Sequence, residues 1–277
     1  MGLTAAEQSA RLFSGKDLEE GELHPLGPGL AAIFTRCAPG STSSNQDSCA
    51  IIPYDERSGV LAVADGAGGL PSGAKASEIA INALRAMVRA AVTSGDPLRS
   101  AILDGIERAN QEVQALGVGA GTTLAVAEIQ GPRVRTYHVG DSQIMVIGQR
   151  GKIKLHTMSH SPVGYGVEAG LIKERDAILH EERHLVSNLV GLPTMHIEVG
   201  PVVELNAMDT VLIASDGLFD NLRTAEIVET CRKGQLLAIC RSLADHCQER
   251  MTILRDGAPS KPDDLTFIAF RRRVTTG

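Results

Sequence analysis

The segment Leu61-Ala62-Val63-Ala64-Asp65-Gly66 contains the pattern that constrains the fold of this chain most strongly. Four apolar residues precede an acidic residue and a glycine, a pattern typical of a buried strand after which the backbone turns sharply. Residues 211–217, with the sequence VLIASDG, repeat this form, and the pair Asp263-Asp264 directly precedes the apolar residues 265–270. The sequence therefore predicts several carboxylates at the ends of buried strands.

Other short apolar segments, bounded by Gly, Pro, Asp or Asn, predict the remaining strands. With those above, the predicted strands cover residues 31–37, 48–54, 60–64, 122–129, 133–139, 143–147, 211–214 and 265–270. Apolar residues at helical spacing predict one helix pair over residues 77–92 and from 97 onward, and a second over 224–233 and 235–251. Because turn residues join neighbouring strands and the helices come in blocks, we predict a layered α+β fold with antiparallel strands.

Composition and charge narrow the class of protein. The chain has 277 residues, 43% of them hydrophobic, and a net charge of −6, which argues against a general nucleic-acid binder. Residues 1–28 are polar and rich in Gly and Pro, and we predict an N-terminal extension over 1–28 before one domain over 29–273. No signal peptide and no membrane-spanning segment is predicted, so we expect a cytoplasmic protein.

The five cysteines have scattered spacing with no C-x-x-C pair, which favours neither a disulfide framework nor a zinc site. Cys240 and Cys247 lie one heptad apart on a predicted helix, so we expect them in the core.

The acidic positions suggest chemistry only when they are taken together. A single Asp-Gly is most often a turn, and Asp104-Gly105 and Asp256-Gly257 show how common the dipeptide is. However, Asp47 and Asp141 also flank predicted strands, alongside the three acidic sites above. Carboxylates that converge beside a core need a cation to offset their desolvation. Sets of oxygen ligands suit Mg²⁺ or Mn²⁺ better than zinc.

The order of these motifs resembles that of a known family. The motifs are NQD at 45–47, VADGAGG at 63–69, GTT at 121–123, VGDS at 139–142, ASDGLFD at 214–220 and DDLT at 263–266. In this order, from about residue 31 to 271, they resemble the PPM-type (type 2C) metal-dependent serine/threonine protein phosphatases in their compact bacterial form. Residues 159–191 look like the flap of that family and the helix after it.

The resemblance implies a four-layer αββα sandwich, in which helix pairs flank two antiparallel sheets. It implies that Asp65 bridges two Mg²⁺ or Mn²⁺ ions, that the Gly66 carbonyl binds the second ion, and that Asp216 and Asp263 hold the first. Asp47 is expected to support the site through metal-bound water. A third ion is expected at Asp141 and Asp216. The implied activity is hydrolysis of phosphoserine and phosphothreonine on proteins by a metal-activated water, without a phosphoenzyme. The implied partners are phosphorylated proteins and a cognate serine/threonine kinase, with no nucleic acid and no membrane.

The chain departs from the family pattern at several positions. Thr42 occupies the place of a family arginine that grips the substrate phosphate, and Arg36 is the nearest upstream basic residue. Ala67 stands where some members have a histidine that is proposed as the general acid. His160 is an alternative candidate for that role, but a structural role, or a role in the flap, is favoured for it. Ser159 replaces an aspartate associated with the third metal.

Two other functions are alternatives to the phosphatase, and the first is nucleotide binding. Residues 68–75 resemble a phosphate loop, but Ala74 and Ala76 flank Lys75 where the motif requires Gly and Ser or Thr. A catalytically weak regulator that binds phosphoproteins is the second alternative, and the loss of the arginine at Thr42 motivates it. The intact set of aspartates favours the phosphatase, because a binding module has no need of them.

Overall fold

The structure is a computed structural model, and it describes residues 9–67 and 72–273. The strands in this part of the chain are β1 Arg11–Ser14, β2 Glu22–Leu26, β3 Gly29–Arg36, β4 Asp47–Pro53, β5 Ser58–Asp65, β6 Leu124–Gln130, β7 Arg133–Val139, β8 Gln143–Ile147, β9 Ile153–His156, β10 Glu198–Val199, β11 Val203–Glu204, β12 Thr210–Ala214 and β13 Leu265–Arg272. The helices are α1 Gly73–Ser94, α2 Leu98–Gln114, α3 Pro162–Glu168, α4 Glu174–Ala177, α5 Asp216–Phe219, α6 Thr224–Cys231 and α7 Leu236–Thr252, with a 3₁₀ turn over Glu181–His184.

These strands form two antiparallel sheets. The first has the order β1-β4-β5-β6-β7-β10, with β11 also paired to β7, and the second has the order β2-β3-β13-β12-β8-β9. Hairpins join β4 to β5, β6 to β7 and β8 to β9, and the last two contain the predicted turn residues 130–132 and 148–151. All eight predicted strands and all four predicted helices are present, so the α+β prediction is confirmed.

Side chains point alternately to the two faces of each sheet, so the core forms three layers. One lies between the first sheet and its helices, one between the two sheets, and one between the second sheet and its helices. In β4, Ala50 and Ile52 face α1 and α2, whereas Cys49 and Ile51 face the second sheet. In the second sheet, Phe267 and Ala269 pack beneath α6 and α7, while Ile268 and Phe270 meet the first sheet. Because successive side chains of a strand point to opposite faces, each sheet buries both of its faces. The result is the predicted αββα sandwich.

The segment over residues 1–28 contributes to both sheets within its described part. β1 pairs with β4, and β2 pairs with β3, so residues 11–26 are packed into the fold rather than preceding it as an extension. Phe13 and Leu26 are buried between the sheets. Both strands are short sheet edges, where Pro25 is tolerated, and this explains why a segment rich in Gly and Pro can still pair.

Three further sequence predictions can be compared with the structure. The five cysteines are free, and Cys240 and Cys247 are buried on α7 as predicted. Residues 159–191, which resemble the family's flap and the helix after it, contain α3, α4 and the 3₁₀ turn, and Val190 forms a β-bridge with Thr122. Part of the phosphate-loop resemblance, residues 68–71, lies outside the described residues.

No helix in residues 9–67 or 72–273 is both long and apolar enough to cross a membrane.

Candidate active site

The first part of the site lies where β4 and β5 meet. Asp47 opens β4 and Asp65 closes β5, and the two are direct cross-strand partners. Asp47 is buried, and its Oδ2 accepts a hydrogen bond from Ser215 Oγ at 2.8 Å. The carbonyl of Asp65 accepts from Thr123 N at 2.8 Å and from Thr122 Oγ1 at 2.7 Å. Hydrogen bonds from neighbouring segments therefore hold the Asp47 carboxylate and the Asp65 backbone at one end of these two strands.

Two glycines let the site backbone pack closely against other segments. A Cβ on Gly66 would lie 2.3 Å from the carbonyl carbon of Gly73, the first residue of α1. A Cβ on Gly217 would lie 1.9 Å from the carbonyl oxygen of Asp264. Any side chain at either position would push apart the segments that carry the acidic residues. The Asp-Gly pairs are thus required by close backbone approach and not only by a turn.

The second sheet and its loops bring three more carboxylates to the same place. Asp216 follows β12 and begins α5, Asp263 precedes β13, and Asp141 follows β7. Asp47, Asp141, Asp216 and Asp263 all lie near enough to Asp65 to raise its pKa. These five residues are called the acidic cluster below. The structure thus brings together every aspartate that the sequence analysis selected as a metal ligand.

Burial and mutual repulsion govern the charge of the acidic cluster. Burial is the main cause of a raised pKa at Asp47, Asp65 and Asp141, and neighbouring carboxylates raise each pKa further. Burial and Asp216 together raise the pKa of Asp263 to about 6. In the absence of a cation, the folded protein therefore favours protonation of groups that are normally ionised at neutral pH.

Unpartnered oxygens test whether a metal ion fits this site. Among the described residues, the cluster oxygens Asp47 Oδ1 and Asp216 Oδ1 are buried and have no hydrogen-bond partner. Buried carboxylate oxygens without partners are costly unless a cation binds them. An all-oxygen set of this kind matches the ligands of Mg²⁺ and Mn²⁺. The residues present therefore fit divalent ions.

Lys261 is the residue at this site that the sequence analysis missed. Its ammonium contacts Asp216 Oδ2, Asp263 Oδ2 at 3.0 Å and Asp220 Oδ2 at 3.1 Å. Burial opposes its charged form, but the three carboxylates outweigh that effect and raise the pKa of Lys261. The sequence offered one signal for this residue, its position two residues before Asp263, but only the fold brings Asp220 close to Lys261.

Thr42 lies in the exposed loop between β3 and β4. Both ends of this loop are fixed by Asp264, whose carboxylate accepts from Ala38 N at 2.8 Å and from Gln46 N at 2.6 Å. Arg36 ends β3 in register with Leu265, at the same end of the second sheet as Asp263. The loop carrying Thr42 is therefore anchored beside the acidic cluster, with Arg36 at its start.

A second group of side chains, the His160 cluster, consists of His138, His160, Asn188, His196 and Glu198. Nδ1 of His160 accepts from Gly140 N at 3.1 Å and faces the Asn188 amide nitrogen at 2.9 Å. His160 Nε2 consequently carries the proton and donates it to Glu198 Oε2 at 3.1 Å. His160 is 1% exposed. These contacts support the structural role over that of a general acid.

The His160 cluster also has the spacing of a metal site, because nitrogens of His138 and His160 and an oxygen of Glu198 lie within 4.8 Å of one another. Its hydrogen bonds argue against that function. His138 Nε2 donates to the Met158 carbonyl at 2.7 Å, and His160 Nε2 is protonated as above. A metal ligand nitrogen must be unprotonated. The contacts of His160 with Gly140 N and Asn188 thus tie the segment over residues 159–191 to the end of β7.

Comparison with known proteins gives consistent results. Residues 40–256 match the family model described as protein phosphatase 2C. A putative protein phosphatase 2C-type of Streptococcus pyogenes serotype M6 is 34% identical over 67% of this chain and 78% of its own length. The PPM Ser-Thr phosphatase MsPP from Mycobacterium smegmatis, solved with cacodylate, is 28% identical with a TM-score of 0.71 over 87% of this chain and 97% of its own. The catalytic domain of PstP with two manganese ions shares the fold, at 23% identity and a TM-score of 0.66 over 88% and 98%.

Proposed function

The chain belongs to the protein phosphatase 2C family and is a protein serine/threonine phosphatase, and we propose that it uses divalent metal ions held by the acidic cluster. The proposed reaction is hydrolysis of phosphoserine and phosphothreonine on proteins by a metal-activated water. The observation that carries the proposal is the convergence of five aspartates from both sheets with unpartnered, buried carboxylate oxygens.

Each aspartate has a proposed role toward the metal ions. Asp65 would contact both ions, the carbonyl of Gly66 would bind the second, and Asp216 and Asp263 would hold the first, with Mg²⁺ or Mn²⁺ as the ion. Asp47, which Ser215 Oγ orients, would act through water. Asp141 and Asp216 would hold a third ion.

When bound, such ions lower the pKa of water and offset negative charge on the phosphoryl oxygens. The residues of the chain contribute position. Thr122 and Thr123 fix the backbone of Asp65, and the close contact at Gly66 fixes the start of α1 against it. Asp264 orients the loop of Thr42, which we propose lies on the phosphate side of the site.

The partners proposed for this function are phosphorylated proteins and the serine/threonine kinase that opposes the enzyme. A cytoplasmic location, with no role in binding nucleic acid or membrane, stays a prediction from the sequence. The family's phosphate-binding arginine is replaced by Thr42, and this keeps a catalytically weak, phosphoprotein-binding regulator as the alternative function.

A metal-dependence assay separates the two functions. Purified protein is tested on p-nitrophenyl phosphate and on phosphoserine and phosphothreonine peptides, with Mn²⁺, with Mg²⁺ and with EDTA. Asp65→Asn removes the carboxylate that contacts both ions. The matched control is Glu128→Gln, which changes a buried carboxylate on β6 that bonds Tyr137 and lies outside the acidic cluster.

The phosphatase predicts turnover with Mn²⁺ or Mg²⁺ that EDTA abolishes. Asp65→Asn should lower kcat by about 100-fold or more, in the range lost when one essential electrostatic contact is removed, and Glu128→Gln should retain activity. Phosphopeptide binding without turnover would favour the regulator. An Asp65→Asn variant as active as the wild type would refute the metal assignment.

A further inference from the structure

The position of Lys261 is fixed by its neighbours. The side chain of Asn221 accepts from Lys261 N at 2.8 Å and donates to the Lys261 carbonyl at 2.8 Å. Asn221 is fully buried, and Pro262 restricts the conformation of the residue before it. The Lys261 side chain is only 22% exposed. Lys261 therefore belongs to the framework of the site and is not a flexible surface lysine.

The three donors of the ammonium meet three carboxylates. Two of them, Asp216 and Asp263, are proposed metal ligands, and the third, Asp220, is not. An ammonium is a compact point charge with three hydrogen-bond donors and no preference for one partner geometry. It can offset the negative charge of the acidic cluster in the same place as a divalent ion, but with half the charge.

The carboxylate oxygens that Lys261 contacts are also oxygens that a metal ion could bind, and this is clearest at Asp263. Its Oδ1 accepts from Asp264 N at 2.9 Å, so Oδ2 is the freer oxygen, and Oδ2 is the atom that Lys261 contacts at 3.0 Å. At Asp216 the lysine takes Oδ2 and leaves Oδ1 without a partner. The ammonium and a metal ion would thus draw on the same two carboxylates.

Asp220 offers the lysine an alternative partner. It follows α5, and its Oδ2 lies 3.1 Å from the Lys261 ammonium. Arg183 Nε lies 3.7 Å from the same oxygen, and Arg183 also donates to the Ser260 carbonyl at 3.1 Å. An ammonium displaced from Asp216 and Asp263 can therefore stay paired with Asp220.

We propose that Lys261 is a built-in competitor of the metal ion at Asp216 and Asp263, released to Asp220 when the ion binds. The inference rests on the proposed metal site and goes beyond it. It assigns to this lysine the setting of metal affinity and the stabilisation of the metal-free protein. The enzyme would then respond to changes in divalent-ion concentration over a higher range than it would without the lysine.

Metal binding to Lys261→Met tests the inference without an activity assay. Mn²⁺ is titrated by isothermal calorimetry, and free Mn²⁺ is followed by electron paramagnetic resonance. Loss of the ammonium should raise the affinity for Mn²⁺ by about tenfold or more, because a unit charge within about 4 Å acts strongly even at the effective dielectric of a protein surface. The metal-free variant should melt at a lower temperature than the wild type, and excess Mn²⁺ should remove this difference.

A double-mutant cycle isolates the role of Asp220. Asp220→Asn should weaken Mn²⁺ binding in the wild type, where it removes the lysine's alternative partner. The same change in Lys261→Met should have a several-fold smaller effect. Equal effects in both backgrounds would mean that Asp220 acts through its own charge, and would overturn the released state.

Arg183→Met is the matched control, because it removes a positive charge beside Asp220 from a residue whose ion-pair partner lies outside the acidic cluster. It should change Mn²⁺ affinity by less than about threefold, as expected of a partly screened neighbouring charge. An effect as large as that of Lys261→Met would show that the lysine acts only through its general positive charge, and would overturn direct competition with the metal ion. If Lys261→Met does not fold, Lys261→Gln carries the same test.

The outcomes separate this inference from the metal site itself. Unchanged or weaker Mn²⁺ binding by Lys261→Met, beside clear binding by the wild type, would overturn the competitor alone. Absence of Mn²⁺ binding by both proteins would overturn the metal site and the competitor together.

Discussion

Replacing Gly66 by alanine probes how closely the site depends on one backbone contact. The added Cβ would lie 2.3 Å from the carbonyl carbon of Gly73 and 2.4 Å from its oxygen, whereas ordinary contact begins near 3.4 Å. The segments must therefore separate by about 1 Å, the difference between 3.4 and 2.3 Å. The neighbours are backbone atoms, which cannot rotate away as a side chain could.

Two magnitudes follow from a separation of this size. Forced overpacking costs about 1–3 kcal/mol of stability. A displacement of about 1 Å in a catalytic arrangement can lower activity about 100-fold, and Asp65 is the residue directly before the displaced glycine. Gly66→Ala should therefore lower kcat/KM about 100-fold and weaken Mn²⁺ binding, while most of the protein remains folded.

The assay combines kcat/KM on a phosphopeptide, calorimetric Mn²⁺ affinity and the melting temperature. Gly95→Ala is the control, because Gly95 has a φ of 79° and no atom within 4 Å of an added Cβ. It should cost about 1 kcal/mol through its left-handed backbone without loss of activity. Wild-type activity and metal affinity in Gly66→Ala, or a loss no larger than that of Gly95→Ala, would show that the contact between Gly66 and Gly73 does not position the site.

Three further predictions concern Thr42, the charge of the acidic cluster and His160. Thr42→Arg should lower KM for phosphopeptides about tenfold, since a charge-assisted bidentate contact to phosphate is restored; an unchanged KM, set against a Thr42→Lys control, would place residue 42 away from the phosphate. In EDTA the folded protein holds protons that the unfolded chain has lost, because the folded pKa values of Asp47, Asp65 and Asp141 are raised. The melting temperature should therefore fall as pH rises from about 4 to above 7, where Asp220 also ionises, and saturating Mn²⁺ should remove the trend; a rising melting temperature in EDTA would contradict the charge assignment. His160→Gln should lower stability by about 1–3 kcal/mol in urea unfolding but leave the shape of the pH–rate profile unchanged, whereas loss of one limb of that profile would make His160 the general acid.

The central strands were predictable because local pattern and tertiary environment agree. Residues 143–147 were predicted as a strand and form β8 with the same bounds, and 133–139 likewise form β7. The aspartates at strand ends were predictable for the same reason, since the ends of antiparallel neighbours meet at a shared edge. Their order along the chain, matched to a family, supplied the individual roles.

Short edge strands were not predictable, because pairing and not local sequence stabilises them. β2 contains Pro25, a residue that normally argues against a strand, and β10 has two residues. The start of α2 was also misplaced by one residue: the helix was predicted from residue 97, but Pro97 is its N-cap with a ψ of 134° and Leu98 begins it. Lys261 was missed because its partners Asp216 and Asp220 lie far from it in sequence, and only the fold brings them together.

Anomalous diffraction at the manganese edge, from crystals grown with Mn²⁺, would locate the metal ions themselves. If the acidic cluster binds them, two strong peaks should lie within ligand distance of Asp65, one of them shared with Asp216 and Asp263, and a weaker third should lie between Asp141 and Asp216. Peaks at the His160 cluster with none at the acidic cluster would exclude the acidic cluster as the metal site.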